Sequence, residues 1–134
     1  MIERKLVPEN RRLAFLPKHC GKPHYMQYEM AVYSMARRLC AEYDGGFWNY
    51  YELSNGGWYM GLDDDRTFHV ACPGNYYEGD MSADAFGVTA CLYAYNAMFG
   101  MGRASDEVFS DAYYALRDYA AEHAEREHIL AAID

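Results

Sequence analysis

The segment from Ala83 to Phe99 is the strongest constraint in this sequence, because it is apolar on both sides of any helix it forms. Met81, Ala85, Val88, Leu92, Tyr95 and Phe99 fall on one stripe, and Ala83, Gly87, Ala90, Ala94 and Ala97 on the opposite one. A helix without a polar face has to be buried all round, and its small-residue side lets a neighbour approach closely. A chain of 134 residues has room for one such core, since single domains run to roughly 100 to 200 residues. The pattern predicts a single domain over 1–134 with a central helix here. Ser82 or Asp80 caps its start, and Gly100-Met101-Gly102 break it.

The other elements are read from period and punctuation. Tyr28, Val32, Met35, Leu39 and Tyr43 recur at helical spacing and predict a helix over 24–43, stopped at Asp44-Gly45-Gly46. Phe47 to Leu53 and Trp58 to Leu62 are rich in strand-favouring rings and flank Ser54-Asn55-Gly56-Gly57, a strong hairpin signal. A two-residue turn at Asn55-Gly56 sets Leu53 opposite Trp58 and Tyr51 opposite Met60. Phe47, Tyr51, Leu53, Trp58, Met60 and Leu62 then share one side, with Trp48, Tyr50, Glu52 and Tyr59 on the other. Thr67 to Cys72 alternates and reads as a third antiparallel strand.

Ser105, Asp106 and Glu107 open a further helix with Phe109, Ala112, Tyr113, Leu116 and Ala120 on its core face. A short last helix over 125–133 docks through Ile129, Leu130 and Ile133. Residues 1–23 contain Pro8, Pro17, Gly21 and Pro23 without a clear period, and read as an irregular arm anchored by Leu13, Phe15 and Leu16. The expected fold class is α+β: a small three-stranded antiparallel sheet, including the hairpin turning at Asn55-Gly56, packed with about four helices.

Twelve basic against 20 acidic residues give a net charge of −8, which argues against a general nucleic-acid binder. The charge is uneven: residues 1–38 hold 8 basic and 3 acidic groups, whereas residues 39–134 hold 4 and 17. Contact of Arg4, Lys5, Arg11 and Arg12 with an anion stays open. No apolar run approaches the roughly 20 residues of a membrane span, and the start lacks a secretory h-region, so the expected location is the cytoplasm. Cys20, Cys40, Cys72 and Cys91 are widely spread and form no C-x-x-C pair, which suits reduced, buried thiols and no structural metal.

Several constellations invite chemistry. His19, Cys20 and His24 are a partial zinc-ligand set whose spacing matches no standard site, and a turn with a packed cysteine explains them. His123 and His128 are five apart and read as surface residues. Asp63-Asp64-Asp65 reads as a solvated turn, because a calcium loop needs spaced oxygens and a distal glutamate. Glu78, Asp80 and Asp84 form a carboxylate cluster of the kind hydrolases use, although capping and solvation account for them. Glu107, Asp111, Asp118, Glu122 and Glu125 line one side of the third helix over about 27 Å, an alternative acidic surface able to imitate DNA phosphates, although a solvated helix face accounts for it. No nucleophile elbow, phosphate loop or dinucleotide fingerprint is present, so no catalytic residues, metal or cofactor are assigned.

The runs Asp44-Gly45-Gly46-Phe47-Trp48, Tyr51-Glu52-Leu53-Ser54-Asn55-Gly56-Gly57, Met81-Ser82-Ala83-Asp84-Ala85 and Ile129-Leu130-Ala131-Ala132-Ile133-Asp134 occur together and in this order. In this combination the sequence resembles the ArdB/KlcA antirestriction family, from Leu16-Pro17-Lys18-His19 to its end. The resemblance implies a compact α+β protein of plasmids and other mobile elements, which protects incoming DNA from type I restriction enzymes without simply occupying the DNA groove.

The expected partner is a type I restriction enzyme complex or an associated host factor, engaged by protein contact rather than catalysis. No membrane and no strong direct nucleic-acid binding are expected. The expected contact residues are Trp48, Tyr50, Glu52 and Tyr59 on the second face of the hairpin, since exposed rings anchor interfaces, together with the anionic tip at Asp134. The rival readings are an acidic DNA mimic using the 106–125 helix and a hydrolase using Glu78, Asp80 or Asp84.

Overall fold

The fold is organised around α3, Ala83–Ala97, with 11 of its 15 residues buried. The computed structural model describes residues 1–134. Before α3 come β1 (Arg4–Leu6), α1 (Arg12–Cys20), α2 (Tyr25–Leu39), β2 (Trp48–Leu53), β3 (Trp58–Leu62), β4 (Thr67–Cys72) and β5 (Tyr77–Ser82); after it come α4 (Arg103–Ala120) and α5 (Arg126–Ile133). α3 packs against α2, β3, α4 and α5, and also touches β4 and β5. Its stripe of small residues admits one of these neighbours at backbone distance. A Cβ on Gly87 would lie 3.0 Å from Gly61 Cα and 3.0 Å from Met60 O of β3. Ser82 supplies the cap, its Oγ accepting from Ala85 N at 3.2 Å. Phe99 falls beyond the last turn and is exposed, so Met98 closes this end of the core instead.

The class is α+β, with five helices and two small antiparallel sheets, and the sheet order differs from expectation. β1, β2 and β3 form one sheet in that order, while β4 pairs only with β5. Thr67–Cys72 is therefore a strand, but it is not the third strand of the hairpin's sheet. That place belongs to Arg4–Leu6, in the segment expected to be irregular, with Arg4 opposite Leu53 and Leu6 opposite Tyr51. A three-residue edge strand with every residue exposed carries no alternation to read. β5, Tyr-Glu-Gly-Asp-Met-Ser, is nearly as polar and was equally hidden.

The rest of residues 1–23 is also ordered, because α1 contains Pro17 and continues for three residues beyond it. Phe15 and Leu16 face the core as expected, whereas Leu13 points out at 96% exposure. Proline inside a helix and an outward leucine both erase the period that sequence reading relies on.

The hairpin forms with a register one residue away from that expected. Glu52 pairs with Trp58, Tyr51 with Tyr59 and Tyr50 with Met60. A type I′ turn needs positive φ at both central residues, and of Asn55 and Gly56 only Gly56 has it, at +89°. The chain instead makes a three-residue loop: Gly56 N donates to Leu53 O at 3.1 Å and Leu53 N to Gly57 O at 2.8 Å. Asn55 is held by its side chain, which accepts from Gly57 N at 3.0 Å and donates to Ala115 O of α4 at 2.9 Å. The slip exchanges partners across the ribbon. Trp48, Tyr50 and Glu52 now share a face with Trp58, Met60 and Leu62, and Tyr59 lies with Tyr51.

α2 ends at Leu39 rather than Tyr43, where Cys40 turns to an extended conformation. Tyr43 is buried from the following turn and accepts a hydrogen bond from Trp48 Nε1 at 3.0 Å. A residue buried in that way mimics the next step of a helical stripe. Ala36, not Met35, takes the fully buried place against α3.

The Gly87 contact yields a signed prediction. In an open helix, glycine to alanine stabilises by about 1 kcal/mol. Here Gly87→Ala is expected to destabilise by about 1–3 kcal/mol through overpacking against β3, read as a lower urea midpoint at unchanged m-value. A stabilised variant would refute the close approach.

Candidate functional site

The expected aromatic contact face is largely interior. Trp48 is 4% exposed, Tyr50 9% and Tyr59 fully buried. Phe15 of α1 stacks on Tyr50 at 4.9 Å between ring centroids, and Tyr119 of α4 leans on Tyr59 at 5.8 Å. The expectation that these rings form an open surface is thus corrected: α1 and α4 cover the two faces of the hairpin. Glu52 does reach solvent, and it collects Arg11 at 3.6 Å, Lys18 at 3.6 Å and His19 at 3.5 Å. Asp134 is exposed, with Arg117 Nη2 3.6 Å from its side chain.

The acidic row is interrupted. Glu107, Asp111 and Asp118 are exposed on α4, but the helix stops at Ala120. Glu122 beyond it accepts from Ile2 N at 2.8 Å. Glu125 turns inward and takes both the amide of Ser82, at 2.9 Å, and its hydroxyl. The carboxylate cluster is divided as well. Glu78 and Asp80 sit on β5 and clamp His69 of β4, with Nε2 at 2.6 Å from Glu78 and Nδ1 at 2.8 Å from Asp80. Asp84 belongs to a different group.

That group joins side chains from four separate parts of the chain, and the sequence reading missed it. Asp84, in the first turn of α3, accepts from Arg4 Nη1 at 2.7 Å and Tyr59 OH at 2.8 Å on one oxygen, and from His123 Nε2 at 2.8 Å on the other. Arg4 also donates to Tyr59 OH at 3.0 Å and lies 4.4 Å over the Tyr51 ring. His123 Nδ1 accepts from Glu125 N at 2.9 Å, so one ring proton, on Nε2, satisfies both contacts. His123, expected at the surface, is therefore mostly covered, its side chain only 11% exposed. No local spacing joins positions 4, 59, 84 and 123, so no motif search finds them.

Burial disfavours the Asp84 carboxylate, but the hydrogen bonds from His123 and Tyr59 and the charge of Arg4 outweigh it and hold its pKa below the ordinary value. Burial and the Asp84 charge push Tyr59 far up. For Arg4 burial pulls downward, and the Tyr59 bond and Asp84 charge overcome it and raise the guanidinium further.

Chemically this group is closed. Both His123 nitrogens and the Tyr59 hydroxyl are committed to internal partners, which leaves no base free to take a proton from a substrate. Burial pushes the Cys20 thiol up to about 12 and the Cys91 thiol up to about 11, away from thiolate reactivity. His19, Cys20 and His24 do not converge, and no set of three His, Cys, Asp or Glu side chains forms a metal-binding group. His19 stacks on Trp58 at 5.1 Å, Cys20 is buried, and His24 Nδ1 lies 3.5 Å from Gln27. No helix is long and apolar enough to cross a membrane.

Residues 41–134 match a family described as antirestriction protein. The chain is 41% identical over 132 residues to an antirestriction protein KlcA of Escherichia coli, covering 96% of this chain and 90% of that one. A second Escherichia coli KlcA is 38% identical over 99% of this chain and 95% of its own length. A solved structure superposes with a TM-score of 0.90 at 40% identity, covering 99% of this chain and 95% of the other. It comes from work on KlcA and ArdB proteins that describes a novel fold and antirestriction activity against type I DNA restriction systems in vivo but not in vitro.

Two measurements probe the site's electrostatics. Asp84→Ala leaves the buried Tyr59 hydroxyl and the mostly covered His123 without their acceptor, and is expected to cost about 1–2 kcal/mol in urea unfolding. Because the folded pKa of Asp84 is depressed, its contribution is complete above the ordinary carboxylate pKa of about 4 and is lost as pH falls through the lower folded value. That acid sensitivity should be weaker in the variant.

His69 behaves in the opposite sense. Its hydrogen bonds to Asp80 and Glu78 raise its pKa, so its contribution is present below about 6.5 and disappears as pH rises through the raised value. Proton NMR should show His69 titrating above the ordinary imidazole value of about 6.5, and Asp80→Asn with Glu78→Gln should return it toward that value.

Proposed function

This chain belongs to the antirestriction protein family, and from that premise we propose that it protects DNA against type I restriction systems inside the cell. It does so by docking on another protein, without breaking bonds. The observation that carries this reading is the near full-length likeness to a solved protein whose antirestriction activity holds in vivo but not in vitro. An effect seen in cells and missing from the purified reaction requires a component that purification removes. The favoured direct partner is accordingly a host factor associated with the restriction complex, rather than the endonuclease alone.

The surface left for docking differs from the one the hairpin suggested. Trp48, Tyr50 and Tyr59 are buried, Glu52 and Asp134 reach solvent, and Leu13, Met26 and Met30 face outward. The mimic reading draws less support, since only Glu107, Asp111 and Asp118 of its row lie exposed on α4, against roughly 20 charges on ten base pairs of duplex.

Plating of unmodified phage on cells carrying a type I system tests the function directly. Expression of the protein should raise plating toward that of modified phage, and unchanged restriction would overturn the proposal. The double charge reversal of Asp111 and Asp118 to Lys should leave protection intact, whereas its loss would restore the mimic. Purified endonuclease should cut in the presence of the protein and become inhibited when lysate of the host is added. Inhibition without lysate would remove the host factor.

A further inference from the structure

A hollow of about 400 Å³ opens beside the end of α2, within the usual size range of a recognition pocket. Met35 and Leu39 of α2, Ala71 of β4 and Ile133 of α5 give it apolar walls, and no carboxylate lines it. Its polar edge is fixed from within the fold. Asn75 Nδ2 donates to the Tyr93 hydroxyl at 3.0 Å and to Ala132 O at 2.7 Å, and Tyr93 donates to Ala132 O at 2.6 Å.

Two further observations bear on what such a hollow receives. Arg4, Arg11, Arg12, Arg66 and Arg117 each meet an oxygen of the chain at ion-pair or hydrogen-bond distance. Arg38, which lines the hollow, meets none, and neither does its neighbour Arg37; both are exposed. Asp134, next to the wall residue Ile133, lies 3.6 Å from Arg117 instead. In a protein with a net charge of −8, unopposed guanidinium groups beside an apolar hollow suit a guest that is apolar in part and anionic in part. The second observation is Tyr76, which directly follows Asn75. It is the one residue other than glycine with a positive φ, at +56°, and it is 99% exposed. That backbone conformation is unfavourable for a bulky side chain, and the ring gains no burial within the fold in return. Strain of this kind gathers where a function uses it, and tyrosine and arginine are residue types that anchor protein interfaces.

We propose that this surface docks the partner protein, through a partner segment in which an apolar side chain stands next to a carboxylate. The apolar side chain fills the hollow, the carboxylate meets Arg38, and Tyr76 packs on the segment from the turn between β4 and β5. The assignment rests on the reading of this chain as a docking protein, and adds to it the surface used and the chemistry of the guest.

Two measurements test it. In the phage plating assay, Tyr76→Asn and Arg38→Glu should each lower protection about tenfold or more, with Arg38→Gln in between. Asparagine tolerates the left-handed conformation, so the urea midpoint of Tyr76→Asn should equal or exceed that of the parent, which separates lost docking from lost folding. In amide NMR of the nitrogen-15-labelled full chain at constant ionic strength, N-acetyl-leucine should move the Ala71 and Asn75 amides saturably, with a Kd on the order of 1–10 mM. N-acetyl-leucinamide, which lacks the carboxylate, should bind about fivefold more weakly, and Arg38→Gln should abolish the difference. Parent-level protection by either Tyr76→Asn or Arg38→Glu overturns the docking surface, even where the probe binds. Equal binding of the two probes, or binding of neither, overturns the anionic guest. If the parent chain itself gives no protection, the functional reading fails instead, and the titration still decides whether the hollow takes a carboxylate.

Discussion

The contact on which the fold depends is the approach of α3 to β3 at backbone distance, through Gly87 against Gly61 and Met60. A helix apolar all round has to be enclosed, and enclosure by two small sheets and three helices works only if β3 lies nearly against the helix axis. That closeness lets Cys91 of α3 bond both ways with Met60 of β3, accepting from its amide at 3.4 Å and donating to its carbonyl at 3.3 Å. It also brings Tyr95 within reach of the Trp58 carbonyl. With β3 fixed there, β2 and β1 follow by pairing, and α1 and α4 are left to cover the two faces of the ribbon.

The Asp84 group is the second consequence of that closeness. Asp84 lies just beyond the cap of α3, so β3 presents Tyr59 to it, β1 presents Arg4, and the link between α4 and α5 presents His123. One carboxylate thereby joins the first strand, the central helix and the C-terminal region. Glu125 repeats the device on Ser82, and Glu122 on the amide of Ile2. A three-residue edge strand has little stability of its own, and these long-range polar contacts hold it on the sheet.

What the sequence made legible, and what it hid, follows from how each residue is stabilised. α3, the core face of α4 at Phe109, Ala112, Leu116 and Ala120, and the presence of a hairpin were readable because repeating burial leaves a period. The register was not, because a side-chain contact from Asn55 to α4 selects the loop and tertiary contacts leave no local trace. β1 and the Asp84 group were hidden for the same reason, being specified by partners tens of residues away, whereas β5 pairs with the neighbouring β4 and was hidden by its own polar sequence. The excess of rings was readable as composition but not as use. Many hydroxyls are spent internally, as with Tyr59 on Asp84 and Tyr93 on the Ala132 carbonyl, so the aromatic content builds the core instead of an open patch.

Folding also redistributes the charge that the sequence displays as a basic beginning and an acidic remainder. Arg4 is consumed by Asp84. Arg12 donates to the Trp48 carbonyl at 2.8 Å while lying over Phe47 and Tyr50. Arg11 and Lys18 gather around Glu52. A tail of free lysines and arginines would track a nucleic-acid backbone, whereas these are anchored, several of them with their charge already opposed. The acidic groups are treated alike, with Glu122 and Glu125 drawn into the fold. Fixed charges at defined separations discriminate between protein surfaces better than they supply raw affinity. This distribution therefore fits recognition of one partly charged protein face more closely than it fits imitation of, or attachment to, a uniform polyanion.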